Sequence, residues 1–164
     1  MQDQPDRPDF RIRPMQEADA DRVIAMIAAL AAHEGAPPPP MDAAELIRWG
    51  LGDDARFSAL VAERRGRVVG YALFNESFHI GRGRPGSALM DLFVDRGHRR
   101  RGIARALLAA VARATLARQG DWMTWQAHPR NVEALTFYEA IGARRFADAD
   151  FEMADKALER LILE

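Results

Sequence analysis

The sequence contains no cysteine. That excludes disulfides, thiolate metal sites and a cysteine nucleophile. Lysine is nearly absent as well: of 23 basic residues only Lys156 is a lysine, and the rest are arginines. The imbalance reads as genomic composition bias, although arginine is also the better partner for phosphate. The net charge is −1, so nothing global points to a nucleic acid or a membrane surface. No apolar run is long enough to span a bilayer, and the acidic, proline-bearing start MQDQPDRPDF does not read as a signal peptide. A cytoplasmic protein is expected. What is present is a chain of 164 residues, 48% hydrophobic and 29% charged, enough for one domain with a real core. Residues 1–9 read as a disordered tail and residues 10–164 as a single domain without repeats.

The most informative stretch is Ala88 to Ala110, ALMDLFVDRGHRRRGIARALLAA. Ala88 to Val94 is mostly apolar and suits a buried strand. From Ile103 the apolar residues Ile103, Leu107, Ala110, Val111 and Ala114 recur three or four apart, which predicts a helix with one buried face. Gly102 sits at the junction. A helix start presents N–H groups without internal partners, glycine lets a ligand come close, and Arg99, Arg100 and Arg101 add positive charge. The combination suits a phosphate or pyrophosphate. A solvated arginine-rich turn is the plainer alternative. The corner is not a Walker loop, since no Gly-Lys-Ser/Thr follows, and it lacks the dinucleotide fingerprint.

The remaining elements follow in order. Phe10-Arg11-Ile12-Arg13 alternates as a short strand stopped by Pro14. Asp19 is the expected N-cap of a helix to about His33, ended by Gly35, and Pro37 to Pro40 enforces an extended linker. Asp42 caps a second helix, Ala43 to Leu51. Ser58 to Glu63 and Arg67 to Phe74 form a hairpin about Arg65-Gly66. Residues 77–87, rich in Gly, Arg and Pro, read as a loop. The helix from Ile103 is expected to end at Gln119-Gly120, with the glycine as terminator. Trp122 to Ala127 is expected as a strand, Asn131 as the cap of a helix from Val132 to Ile141 closed by Gly142, and Phe146 and Leu158 to Leu163 as final strands. This order predicts an α/β fold with a mixed, mostly antiparallel sheet and about four helices.

Arg99-Arg100-Arg101-Gly102-Ile103-Ala104 matches Arg/Gln-x-x-Gly-x-Gly/Ala, and the chain thereby resembles the GNAT N-acetyltransferase superfamily, in which this loop holds the acyl-CoA pyrophosphate. Asn131 to Ala143 resembles the same superfamily's Asn-x-x-Ala-x-x-Phe-Tyr-x-x-x-Gly-Phe/Ala segment. Read by itself, that segment is a capped amphipathic helix. The resemblance covers roughly Phe10 to Phe146 and implies the GNAT fold, acetyl-CoA as co-substrate, no metal, and a likeness to members that are often dimers. It implies a cofactor surface made of Leu92, Phe93, Val94, Arg99, Arg100, Arg101, Gly102, Ile103, Ala104, Arg105, Asn131, Phe137 and Tyr138. Tyr138 would protonate the departing thiolate, and a backbone N–H of the central strand, with Phe93 the candidate, would polarise the thioester carbonyl.

Shorter segments, Phe10 to Pro14, Leu30 to Glu34, Gly70 to Phe74 and Met90 to Val94, resemble the diamine acetyltransferase branch (spermidine/spermine and thialysine N-acetyltransferases). The implied acceptor is a small-molecule primary amine, with neither nucleic acid nor membrane as partner. One departure stands out. That branch usually has Glu-Asp before Leu/Phe-Phe-Val, its glutamate removing the amine's proton, and here the position is Met90. Neighbouring strand residues point to opposite faces, so Asp91 can take over only if a bulge re-aims it. Glu76, His79 and Glu34 are the other candidate bases. Three other readings stay open. One is a nucleic-acid module using Arg96, His98 and Arg99 to Arg101. Another is an acyl-CoA-binding module without catalysis. The third is an acetyltransferase acting on a protein N-terminus, a lysine side chain or an aminoglycoside.

Overall fold

The computed structural model of the protein describes residues 9–147. They divide into two compact units at the Asn131/Val132 boundary. The first unit holds β1 (Arg11–Pro14), α1 (Ala20–Glu34), α2 (Ala43–Gly50), β2 (Ser58–Arg64), β3 (Arg67–His79), β4 (Arg84–Val94), α3 (Ile103–Ala117) and β5 (Met123–Thr124). The sheet runs in the order β1-β2-β3-β4-β5, antiparallel throughout except for the parallel β4–β5 pair. This is the mixed, mostly antiparallel sheet that the sequence predicts.

β3 explains its own central place. Residues 68–74 are buried without interruption, so the strand is covered on both faces and reads as a continuous apolar run. On one face Tyr71, Leu73 and Phe93 pack with Met15, Val23, Met26, Ile27, Leu46, Ala59 and Val61, the surface that α1 and α2 cover. On the other face a Cβ at Gly70 would lie 3.5 Å from Leu107 of α3, and Ser87 shares a 2.6 Å hydroxyl hydrogen bond with Thr115 of α3. Arg65 and Gly66 both take positive φ, 52° and 73°, the two-residue turn whose twist suits the β2–β3 hairpin.

Several expected boundaries move. Of residues 77–87 only 80–83 form a turn: β3 and β4 continue as a hairpin whose last pair is His79↔Arg84. The glycine and proline there serve packing and edges. A Cβ at Gly86 would sit 2.3 Å from the Trp122 ring, so glycine marks close contact, and Pro85 stands at the start of its strand. Gly120 does not take the left-handed conformation at the end of α3; Gln119 does, with φ 64°. Gly120 is required because its Cβ would meet Thr115 Cγ2 at 2.7 Å. Asp19 makes no side-chain cap for α1. It binds Arg13 through both carboxylate oxygens, at 2.6 and 2.9 Å, and accepts from the Gln16 N–H at 2.8 Å. Asp42 does cap α2, accepting from the Glu45 N–H at 2.9 Å. Gly35 ends α1 with φ 76°, as expected.

The expected strand Trp122 to Ala127 shrinks to β5, paired only at Ser87↔Met123 and Ala88↔Thr124. The reason lies in β4. Register pairs Leu73 with Asp91 but Phe74 with Leu89, so Met90 is an extra residue, a β-bulge. Below the bulge the Ser87 N–H turns toward β5, donating to Trp122 O at 3.0 Å. Above it the Asp95 N–H donates to Val69 O of β3 at 2.9 Å. The same set of alternate residues thus changes edges across Met90, and β5 loses its partner there.

The second unit carries α4 (Val132–Ala140), one residue shorter than expected. Gly142, at φ 92°, donates to Glu139 O at 3.0 Å and closes it, as its position predicts. Phe146 lies in irregular chain rather than a strand. The expected strand Leu158 to Leu163 lies outside the described residues.

Candidate active site

From Leu89 to Val94, β4 has no strand on its β5-side edge among the described residues. Antiparallel pairing alternates bonded and non-bonded positions. With the Asp95 N–H committed to Val69, the same alternation turns the Phe93 N–H toward β3 and leaves those of Leu92 and Val94 aimed at the open edge. Phe93 is therefore not the residue whose amide faces that edge, contrary to expectation. Its ring belongs to the core.

The edge leads into the arginine–glycine corner. A short 3-10 turn, Arg96–His98, follows β4 and is anchored from α1: Arg22 donates Nε to Val68 O at 3.1 Å and pairs with the Asp95 carboxylate. Arg99 folds back, donating Nε to Val94 O at 3.1 Å with its guanidinium 5.8 Å from the Phe93 ring centroid. Arg100 and Gly102 take left-handed φ values of 58° and 78°. At Gly102 nothing lies within 4 Å of where a Cβ would stand, so the backbone is open to a ligand there. The first intrahelical bond is Ala106 N–H to Gly102 O, which leaves the N–H groups of Ile103, Ala104 and Arg105 without intrahelical acceptors. Arg100, Arg101 and Arg105 are exposed, and the Ile103 side chain is buried, so Ile103 offers its backbone alone. A cradle of N–H groups at a 15-residue helix, edged by guanidinium groups, suits a diphosphate.

The structure separates the candidate bases. Asp91 faces the α1–α2 side, because the bulge reverses the side it would share with Leu89 on a regular strand. Its Oδ2 accepts the Tyr71 hydroxyl at 2.7 Å. Burial lifts the Asp91 carboxyl above the ordinary range, the Tyr71 hydrogen bond opposes that lift, and the negative charge of Glu34 adds to it. Burial likewise raises the Tyr71 hydroxyl, with the Asp91 charge acting in the same direction. Glu76 pairs across the ladder with Ser87, on the α3 side, and its carboxylate meets Arg118 at 3.0 Å. His79 stands six residues along β3 from Leu73, about 20 Å away at strand rise. Its ring accepts from the Arg82 N–H at 3.3 Å and packs edge-on to Trp122.

Asn131 ends the first unit, its N–H donating to His128 O at 2.8 Å. On α4 the rings of Phe137 and Tyr138 lie 5.4 Å apart and both are half-buried. Among the described residues no group of three or more His, Asp or Glu is placed to hold a metal, and no helix is long and apolar enough to cross a membrane. Sequence reasoning passed over Tyr71. The available signal was a hydroxyl inside the apolar run Val68 to Phe74, since a buried tyrosine needs a partner.

Known proteins resemble the chain in sequence and in fold. The chain is 31% identical over 81 residues to L-ornithine N5-acetyltransferase of Arabidopsis thaliana, a match that takes in 49% of this chain and 36% of the relative. It is 25% identical over 142 residues to human spermidine/spermine N(1)-acetyltransferase-like protein 1, covering 82% of this chain and 20% of that one. The matches thus span well under half the length of either curated relative. Among solved structures, an integron cassette protein from the mobile metagenome of V. cholerae superposes with a TM-score of 0.77 at 18% identity, over 95% of this chain and 99% of its own, a likeness of fold. The model of the Acetyltransferase (GNAT) family matches residues 19–143, most of the chain and both of its motifs. By that match, on a sheet of the expected topology, the chain belongs to the GNAT acetyltransferase family.

Proposed function

We propose that the protein transfers an acetyl group from acetyl-CoA to a primary amine of a small molecule by direct attack. The observation that carries the reading is the unpartnered edge of β4 running into the left-handed corner at Arg100–Gly102. Acetyl-CoA supplies an acyl group already activated as a thioester. The N–H groups at the head of α3, with Arg100, Arg101 and Arg105, bind its diphosphate. The edge of β4 at Leu92 to Val94 takes the pantetheine arm as an added strand. The outward N–H of Leu92 or Val94 polarises the thioester carbonyl. Tyr138 gives a proton to the leaving sulfur and Asn131 steadies the arm, roles supported by the motif that these residues share with the family. Asp91, Glu76, His79 and Glu34 are the candidate acceptors of the amine's proton.

The diamine, polyamine or thialysine class is the acceptor favoured by the segments around Gly70 and Met90, with a protein or peptide amine as the alternative. Met90, in place of the branch's glutamate, favours one second reading, an acyl-CoA-binding module without catalysis. Family likeness also supports a homodimer. Release of free thiol from acetyl-CoA against a panel of diamines, polyamines, amino acids, aminoglycosides and peptides tests the activity and its acceptor class. Turnover with one amine class is expected. Thermal stabilisation by CoA without thiol release for any amine identifies the binding module, and no uptake of acetyl-CoA defeats both.

A further inference from the structure

Asp91 is half-buried on the α1–α2 side of the sheet. Its partner is the hydroxyl of Tyr71, a side chain with no exposed surface. Among the described residues no arginine pairs with this carboxylate. The groups that face it are Tyr71 from β3 and Glu34 from α1, and the second is another acid. Along the same face of β3, two residues beyond Leu73, the Oδ1 of Asn75 is buried and has no hydrogen-bond partner among the described residues. Diagonal neighbours on a sheet face stand about 7–8 Å apart, so Asn75 adds an oxygen acceptor to the surroundings of Asp91. Among the described residues the face therefore offers acceptors and negative charge, and no cation pairs with them. Its complement is an ammonium group.

We infer that Asp91 receives the acceptor's ammonium and holds the proton it gives up, and that Tyr71 is a positioning residue which fixes the carboxylate for that task. The inference rests on the acetyl-transfer reading and selects among its candidate bases. Tyr71 occupies Oδ2, which leaves Oδ1 for the amine. Burial keeps the Tyr71 hydroxyl protonated, so it remains a donor throughout the working range. In the step, Oδ1 takes one proton from the ammonium nitrogen. The freed lone pair forms the C–N bond as the C–S bond breaks. The second nitrogen proton passes to solvent water, and Tyr138, having given its proton to the sulfur, takes one back from solvent. Met90 leaves this work to Asp91, and the bulge it creates brings Asp91 to the correct side.

The test compares wild type, Tyr71→Phe and Asp91→Asn by acetyl-CoA titration calorimetry and by pH profiles of thiol release with the best amine. Tyr71→Phe removes one hydroxyl, so it is expected to fold and to bind acetyl-CoA within about twofold of wild type. It should lower kcat/KM for the amine about tenfold. Because the lost hydrogen bond favours the ionised carboxylate, the acid limb of the profile should move to higher pH. Asp91→Asn should abolish that limb and cut kcat/KM by about 100-fold while binding acetyl-CoA normally. An unmoved limb in Tyr71→Phe, or near-normal turnover in Asp91→Asn, overturns the inference while leaving acetyl transfer intact. Wild type that binds acetyl-CoA but acetylates no amine overturns it by the other route, through failure of the reading beneath it.

Discussion

Leu89 and Asp91 stand two residues apart on β4 and face opposite sides of the sheet, because Met90 between them has no partner on β3. On a regular strand they would share a side. One inserted residue thus separates the lower half of β4, which packs on α3 and pairs with β5, from an upper half that turns Asp91 toward α1 and frees an edge. The bulge and the open edge of β4 occur together, and both halves of the proposed chemistry depend on them.

Met90 is 55% exposed, so its side chain contributes little to the core. Met90→Glu should change stability by no more than about 0.5 kcal/mol in a denaturant titration. It restores the carboxylate common in the diamine branch, so thiol release with the best amine should rise by about tenfold or more, most of all below neutral pH. An unchanged rate in a well-folded variant would mean that proton removal does not limit turnover.

Tyr138→Phe tests the proton given to sulfur. If the hydroxyl acts as general acid, kcat should fall about 100-fold while acetyl-CoA affinity, read by calorimetry, stays within about threefold. Equal losses in both would show that the ring only packs, as its 5.4 Å neighbour Phe137 suggests it also does.

The mixed sheet, the capped α2, the Arg65-Gly66 turn and the strand–turn–helix junction at Gly102 were legible in the sequence because each follows from local chemistry. Hydrophobic period, a capping aspartate and left-handed turn residues all act within a few positions. The long β3–β4 hairpin was not legible. Gly86 resembles a breaker until the Trp122 ring is seen against it, and Trp122 lies 36 positions away in sequence. The bulge was equally hidden. Nothing in Leu89-Met90-Asp91 marks an unpaired residue, and only the register against Leu73 and Phe74 reveals it. For that reason the sequence lets Asp91 take over Met90's role only on condition of a bulge, and it does not single out Tyr71.

Gly102→Ala separates conformation from packing. Gly102 has φ 78° and open space where a Cβ would go, so any clash must come from the ligand. The left-handed conformation costs an alanine roughly 1–2 kcal/mol, which should appear as reduced stability without ligand. Acetyl-CoA affinity should fall at least about tenfold as the corner relaxes, and what binding remains should weaken further as salt is raised. Unchanged affinity would move the diphosphate elsewhere.

Asp19 and Asp91 should respond to pH in opposite senses. The bidentate bond from Arg13 holds the Asp19 carboxyl below its ordinary range, with burial working against it and the Gln16 N–H assisting. A depressed native pKa stabilises the fold above the unfolded value of about 3.9, and that contribution is lost as pH falls through the native value. Asp19→Asn should therefore cost about 1–3 kcal/mol at pH 7, and the difference from wild type should vanish in strong acid. The Asp91 carboxyl is raised by burial, so its ionisation opposes folding as pH climbs above the unfolded value. Asp91→Asn keeps an oxygen for the Tyr71 hydroxyl and removes the buried charge, so thermal unfolding at pH 7 should occur no lower than in wild type. A protein that gains stability when Asp91 loses its charge, yet loses turnover, is holding that charge for its reaction.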